Sequence, residues 1–194
     1  MAELPKPLED ALEEARDKAF TRRVALTTAI YAVVLAITAL GGNNATKEML
    51  LAQQQASDQW AFYQAKVIRE HQYRAQALRL EAEMLERGAT MQPAVRAKYE
   101  ELRGKFTEEE KRYNTEKKDI EQEAKRLEHE RDVNRARDPN FDFAEALLQI
   151  AIVVASVSIL STSRPLYGTS ILFAVVGALL GLNGFLLLVH LPFG

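Results

Sequence analysis

The sequence predicts an all-α membrane protein: three transmembrane helices, with a long antiparallel, coiled-coil-like helical hairpin inserted between the first and the second. Three observations predict it. Residues 24–42, 143–163 and 167–191 are apolar stretches, each long enough to cross a bilayer as a helix. The first is separated from the second by about 100 residues of almost wholly helical pattern. That block breaks once, near residues 88–93, into arms of nearly equal length. Equal arms return the chain to the membrane face it left.

Composition divides along the same lines. A mean hydropathy of -0.20 averages two populations. The spans are nearly free of charge, while residues 94–137 carry 25 charged side chains in 44, of which 13 are Lys or Arg and 12 Asp or Glu. A net charge of -2 leaves no basic footprint for nucleic acid. The absence of cysteine excludes disulfides, thiolate catalysis and Cys-ligated zinc.

Residues 1–23 form an N-terminal amphipathic segment, with Leu8, Leu12, Ala15 and Ala19 on one side of a helix. With six acidic residues against five basic ones, it should not seek anionic lipid strongly. Residues 24–42 follow as the first span, about 28 Å long. Thr27, Thr28, Tyr31 and Thr38 within it can bond to their own helix or to a neighbour. A cleaved signal peptide is the rival reading, and the long acidic segment ahead of the span opposes it. Thr21-Arg22-Arg23 lacks the residues that would complete a twin-arginine signal.

The hairpin, residues 43–142, has arms at about 44–87 and 93–137, each about 65 Å long. Asn44 is placed as the N-cap of the first arm, Gly88 suits its end, and Pro93 suits the first turn of the second. The second arm carries a heptad thread of Val95, Tyr99, Leu102, Phe106, Tyr113, Ile120 and Leu127. Glu109, Glu116, Glu123 and Glu130 take the alternate seam positions, so one flank is wet. Folding the arms about residue 90 sets Leu102 beside Leu78, Phe106 beside Ala75, Tyr113 beside Ile68 and Ile120 beside Ala61. Large side chains then meet small ones, as close packing needs. This assigns the stripe of Ala61, Ala65, Ile68 and Ala75 to the seam. Trp60, Tyr63 and Val67 form a second stripe about 120° away, and Phe62 belongs to neither. Without a third helix to cover them, Trp60, Phe62, Tyr63 and Val67 read as an interaction face.

Asp138-Pro139 is read as the end of the second arm, and Asp142-Phe143-Ala144-Glu145 as the capping box of the second span, residues 143–163. Phe141, Phe143 and Tyr167 fall where interfacial aromatic anchors belong. The third span, residues 167–191, contains Gly177 and Gly181 in a G-x-x-x-G pattern that brings helix backbones close. Asn183 on that helix is an interhelical hydrogen-bonding group, and His190 lies seven residues further on the same face. Lys and Arg before the first span, and Arg164 in the loop between the second and third, place the N-terminus in the cytoplasm and the hairpin outside. The basic residues just before the second span oppose this, with less weight because they belong to a long segment.

Candidate chemistry is sparse. Glu145 and Gln149 begin a polar stripe along the second span, a possible intramembrane polar site. Its plainer reading is a capping glutamate at headgroup depth. His71, His129 and His190 have no second ligand at metal-binding spacing. There is no phosphate loop and no nucleophile–base pair. The sequence thus predicts no enzyme, no catalytic residue, no cofactor and no metal.

Arg22-Arg23-Val24-Ala25-Leu26, Ala56-Ser57-Asp58-Gln59-Trp60-Ala61-Phe62-Tyr63-Gln64-Ala65-Lys66 and Phe141-Asp142-Phe143-Ala144-Glu145-Ala146-Leu147-Leu148-Gln149-Ile150-Ala151 carry a resemblance. The chain resembles, over roughly residues 8 to 190, the bacterial membrane family catalogued as domain of unknown function 4337. The resemblance implies a multi-pass protein of the bacterial inner membrane with this layout, and no activity. Two functions are expected of such a chain. One is a structural or accessory protein that contacts membrane lipid and either self-associates or joins a larger membrane complex. The alternative is an ion-conducting or proton-driven energy-coupling subunit, similar in topology to stator proteins.

Overall fold

The computed structural model describes residues 6–189, and the side chains of all of these except residues 6–10 and 13. Every element among them is helical: α1 (Lys6–Arg87), α2 (Pro93–Leu160) and α3 (Arg164–Leu186). Each helix carries a segment long and apolar enough to cross a membrane. His190 and the first five residues of the N-terminal segment lie outside the described residues.

Two expected helix boundaries are absent. Residues 42–44 lie inside α1, so Asn44 caps nothing. Glycine and asparagine each cost a helix up to about 1 kcal/mol, too little to break one already formed on both sides. Pro139 lies inside α2, and Asp142 to Glu145 are mid-helix rather than a capping box. A proline there removes one backbone bond and costs about 3 kcal/mol. Packing on both sides of it opposes a break, since Asn134, Asn140, Phe141 and Ala144 are all buried. The Asn140 side chain also donates to the Ala136 carbonyl at 3.0 Å, tying down the adjacent turn.

The ends of the helices follow local chemistry. A β-carbon at Gly88 would collide with the Met84 carbonyl oxygen, which is why glycine ends α1. Pro93 opens α2, where its missing N–H is no loss. Leu187 adopts a left-handed φ of 49° and returns its N–H to the Asn183 carbonyl at 2.7 Å, ending α3 before residue 191.

The chain divides into two compact units, one of residues up to 49 and from 132 on, the other of residues 50–131. In the first, small and hydroxyl residues are inside: Ala144, Ala151, Ala155, Ser158 and Ser170 are all fully buried. Val24, Leu148 and Phe141 join them, but many large apolar residues are outside, with Leu26, Ile30, Val33, Ile37 and Leu40 each more than half exposed. That is the reverse of a water-soluble core. Small interior residues let helix backbones approach closely. Thr28 and Thr38 return their hydroxyls to carbonyls of their own helix. Thr27 does the same and also meets the Tyr167 hydroxyl at 2.9 Å.

In the second unit, α1 residues meet α2 residues in pairs that ascend along one helix as they descend along the other. Arg131 donates to Gln53, Lys66 pairs with Glu116, Arg69 donates to Tyr113, and Tyr99 donates to Glu83. These partners lie slightly later along α2 than the expected register, by less than one helical turn.

Candidate functional site

The 50–131 unit reverses two expected faces of α1. Ala61, Ala65, Ile68 and Ala75, assigned to the seam, are all exposed, as is Leu78. Trp60, Tyr63 and Val67, assigned to an uncovered interaction face, are partly buried. Trp60 donates its indole N–H to Glu128 at 3.0 Å and packs edge-on against Tyr63. Phe62 alone of that set is open, at 50% exposure, with the Lys66 ammonium 5.0 Å from its ring centre. On α2 the expected thread holds better: Tyr113 and Leu127 are buried, Tyr99, Leu102, Phe106 and Ile120 partly so, and Val95 is exposed.

Charge explains the reversal. The inward row of α1 passes through Ala52, Ala56, Tyr63, Glu70, Tyr73 and Ala77, with a glutamate at its centre. A search for unbroken apolar rows rejects that face. Glu70 is nevertheless buried, because Lys117 and Asn114 both donate to its carboxylate. Burial pushes its pKa up, but those hydrogen bonds outweigh burial and hold it below the usual carboxylate range. Lys117 and Asn114, the α2 partners, are not among the glutamates expected on its wet flank.

One turn away, Tyr113 sits inside a cluster of cations. Its ring stacks on Tyr73 with centres 5.7 Å apart, and Arg112, Lys66 and Arg69 lie 4.9, 5.1 and 5.9 Å from its centre. Its hydroxyl accepts from Arg112 at 3.1 Å and Arg69 at 3.4 Å, and these bonds lower its pKa. Lys66 and Arg112 also share Glu116. Such a network adds little net stability, since partly buried ion pairs largely offset their own desolvation. Sequence reasoning treated Tyr113 as an apolar seam residue and missed this cluster.

In the other unit, the glycines of α3 face their neighbours at close range. A β-carbon at Gly177 would lie 3.1 Å from the Ala144 carbonyl oxygen, and one at Gly181 would lie 3.0 Å from Thr38 Oγ1. Their packing is thus against α2 and α1 of the same chain. Asn183 donates to Asn140 Oδ1 at 2.6 Å. The sequence reading missed the partners at the end of this row. Phe141 is not an interfacial anchor: it is 2% exposed and packs edge-on with Phe185, with ring centres 4.9 Å apart. A β-carbon at Gly41 or Gly184 would come within 2.8 Å of that aromatic pair. Gly41 and Gly184 are therefore as necessary as the G-x-x-x-G pair, and their separation along the chain hid them. Phe143 is exposed, as an anchor would be.

Glu145 is partly buried, its Oε1 3.4 Å from where a β-carbon of Gly42 would stand. Gln149, one turn on, is exposed, so the two do not converge on one cavity. Thr46 Oγ1 lies 2.7 Å from Asp138 Oδ1 and 3.0 Å from the Gly42 carbonyl. Its single proton serves one of them at a time. Among the described residues no group of three His, Asp or Glu side chains is placed to hold a metal ion. His71 and His129 are both exposed.

The family model described as a domain of unknown function, DUF4337, matches residues 20–187, and the chain belongs to that family. Neither a curated protein nor a solved structure matches the chain.

Proposed function

Starting from membership of a family without an assigned activity, we propose that this chain is a non-enzymatic, multi-pass membrane protein of structural or accessory kind. Its three apolar segments cross the inner membrane of a bacterium, and residues 43–142 stand outside it as a helical hairpin. The hairpin and the spans mediate self-association or entry into a larger membrane complex. The inverted arrangement of the first unit supports insertion: small residues inside, with Leu26, Ile30, Val33 and Leu40 outside at 60% exposure or more, suit a lipid surround. The observation that carries the accessory role is the outer face of the 50–131 segment of α1. Phe62 and Ile68 are 50% and 57% exposed there, beside exposed Ala61, Ala65 and Ala75, in an otherwise highly charged unit. Uncovered apolar residues of this size mark contact surfaces.

The experiment is the mass of the complex extracted gently from native membrane, with its companions identified. The wild-type chain should run as a species well above its 21.8 kDa protomer. The pair Phe62→Glu and Ile68→Glu should reduce it to the protomer without loss of helix content. An unchanged mass for the double variant removes the face from the proposal.

The ion-coupling alternative rests on one observation, a lone half-buried carboxylate, Glu145, within an apolar segment. Purified chain in proteoliposomes should show no proton flux, and Glu145→Ala should assemble as the wild type does. Flux abolished by Glu145→Ala would favour the alternative.

A further inference from the structure

The cavity at the end of the first unit near Arg23 points to a ligand of definite chemistry. It has a volume of about 410 Å³ and is lined by Arg16, Ala19, Phe20, Arg23, Arg164 and Tyr167. Three arginines thus line it together with two aromatic rings. Phe20 and Tyr167 meet edge-on with ring centres 5.8 Å apart, and Tyr167 is fixed by its contact with Thr27. Among the described residues no carboxylate pairs with any of the three arginines. Glu14, one turn before Lys18, is taken by Lys18 at 2.6 Å.

We propose that this cavity binds the phosphate of an anionic glycerophospholipid, a reading that rests on the chain's being inserted in a membrane. Guanidinium forks match phosphate oxygens in geometry as well as charge. Basic pockets between transmembrane helices favour anionic headgroups over zwitterionic ones, whose cationic end the arginines repel. The volume is that of a small-molecule site. The lipid origin of the phosphate follows from α1 itself. Residues seven apart share a helix face, and Arg16 and Arg23 are followed on theirs by Ile30 and Ile37. Those isoleucines are 61% and 53% exposed. One row therefore offers two arginines to a headgroup and then an open apolar track to its acyl chain. A soluble phosphate would use only the first half of the row. The near-neutral charge of the N-terminal segment concealed this: its six acids and five bases nearly cancel in sum, but among the described residues no acid lines the cavity.

The full chain, purified in detergent, is titrated with phosphatidylglycerol, phosphatidylcholine or inorganic phosphate, and retained adducts are counted by native mass spectrometry. Phosphatidylglycerol should be retained at least about tenfold more tightly than phosphatidylcholine. The triple variant Arg16→Gln, Arg23→Gln, Arg164→Gln should bind it about a hundredfold more weakly, at about fivefold per arginine. The corresponding triple lysine variant should lose less than the glutamine one, since charge remains and only the fork is gone. Arg22→Gln, exposed and outside the cavity, should bind as the wild type. Flotation of each protein with phosphatidylcholine vesicles after an alkaline wash reads insertion separately. A wild-type chain that fails to float defeats the membrane reading. A chain that floats but holds both lipids equally, or whose triple variant keeps phosphatidylglycerol, overturns the site. Displacement of the lipid by inorganic phosphate overturns the lipid origin. Should the triple variant not insert, Arg164→Gln alone, with a fivefold expected loss, decides the same point.

Discussion

Asn183 of α3 donates its side-chain amide to the carbonyl oxygen of Asn140 on α2 at 2.6 Å, and Asn140 is fully buried. The second Asn183 proton goes to the Val189 carbonyl at 2.8 Å, while its oxygen accepts the Val189 N–H at 2.9 Å. One amide thus joins two helices and fastens the chain that leaves α3. In an apolar surround no water would replace the bond between them once either side chain is removed. Asn140→Leu and Asn183→Leu should each destabilise the protein, and their effects should not add. The coupling expected of such a pair is about 0.6 kcal/mol and at most about 1.7 kcal/mol. Reversible unfolding in mixed micelles measures it, and strict additivity would show that the bond carries nothing.

The glycines give a test of packing that hydrophobicity cannot mimic. A β-carbon at Gly184 would stand 2.8 Å from the Phe141 ring, while one at Gly168 on the same helix meets nothing within 4 Å. Phe141 is held by Phe185 and cannot swing aside freely. Gly184→Ala should therefore cost about 1–3 kcal/mol through overpacking. Gly168→Ala should be neutral or stabilise by up to about 1 kcal/mol, because alanine restricts the unfolded chain and favours helix. Melting of the two variants in one detergent would settle the contrast, and equal effects would contradict the packing.

Two carboxylates of the 50–131 unit should respond differently to acid and salt. Glu70 has its pKa lowered in the folded state, despite the upward pull of burial, by hydrogen bonds from Lys117 and Asn114. A lowered folded pKa means stability that is present above the unfolded value of about 4.3 and lost as pH falls through the folded value. Glu70→Gln should thus lower the melting temperature at neutral pH, by an amount equivalent to about 2 kcal/mol. Its difference from the wild type should shrink as pH drops below about 4. Glu101, pushed down to about 2 by hydrogen bonds from Lys105 and Lys98, is exposed. Its contribution should vanish in about 1 M salt, where screening acts over about 3 Å, while that of Glu70 should persist. A Glu70→Gln difference that salt erases would place Glu70 at the surface.

These residues also show what could be read from the sequence alone. Apolar length located the three helices, and Gly88 and Pro93 located the break between α1 and α2, because both act through backbone geometry within a few residues. The α2 thread through Tyr113 and Leu127 was legible because it is apolar. The inward face of α1 was not, because Glu70 occupies its centre and becomes tolerable only beside Lys117, 47 residues away. Residues 42–44 and Pro139 misled for a related reason. Their local preference to end a helix is real, and packing around Phe141 overrides it. Gly177 and Gly181 announced themselves by spacing. Gly41 and Gly184, which close on the same aromatic pair, share no spacing from which the contact could be inferred.

The proposed orientation is open to a direct chemical test, because the chain contains no cysteine and a single introduced thiol is unambiguous. Ala89 lies in the turn between α1 and α2, and Ala11 near the start of α1, and both are exposed. Five Lys or Arg residues precede the first span, and the positive-inside tendency would retain that end in the cytoplasm. One crossing then places the turn on the opposite side. In a bacterial host with a permeabilised outer membrane, Ala89→Cys should react with an impermeant maleimide on intact cells. Ala11→Cys should react only after lysis. The charge bias is not one-sided, since Arg131, Arg135 and Arg137 precede the second span. If they dominate, the pattern inverts and the 50–131 unit lies in the cytoplasm. That outcome would also move the stator-like alternative ahead of the accessory reading, because such proteins keep their large helical part on the cytoplasmic side.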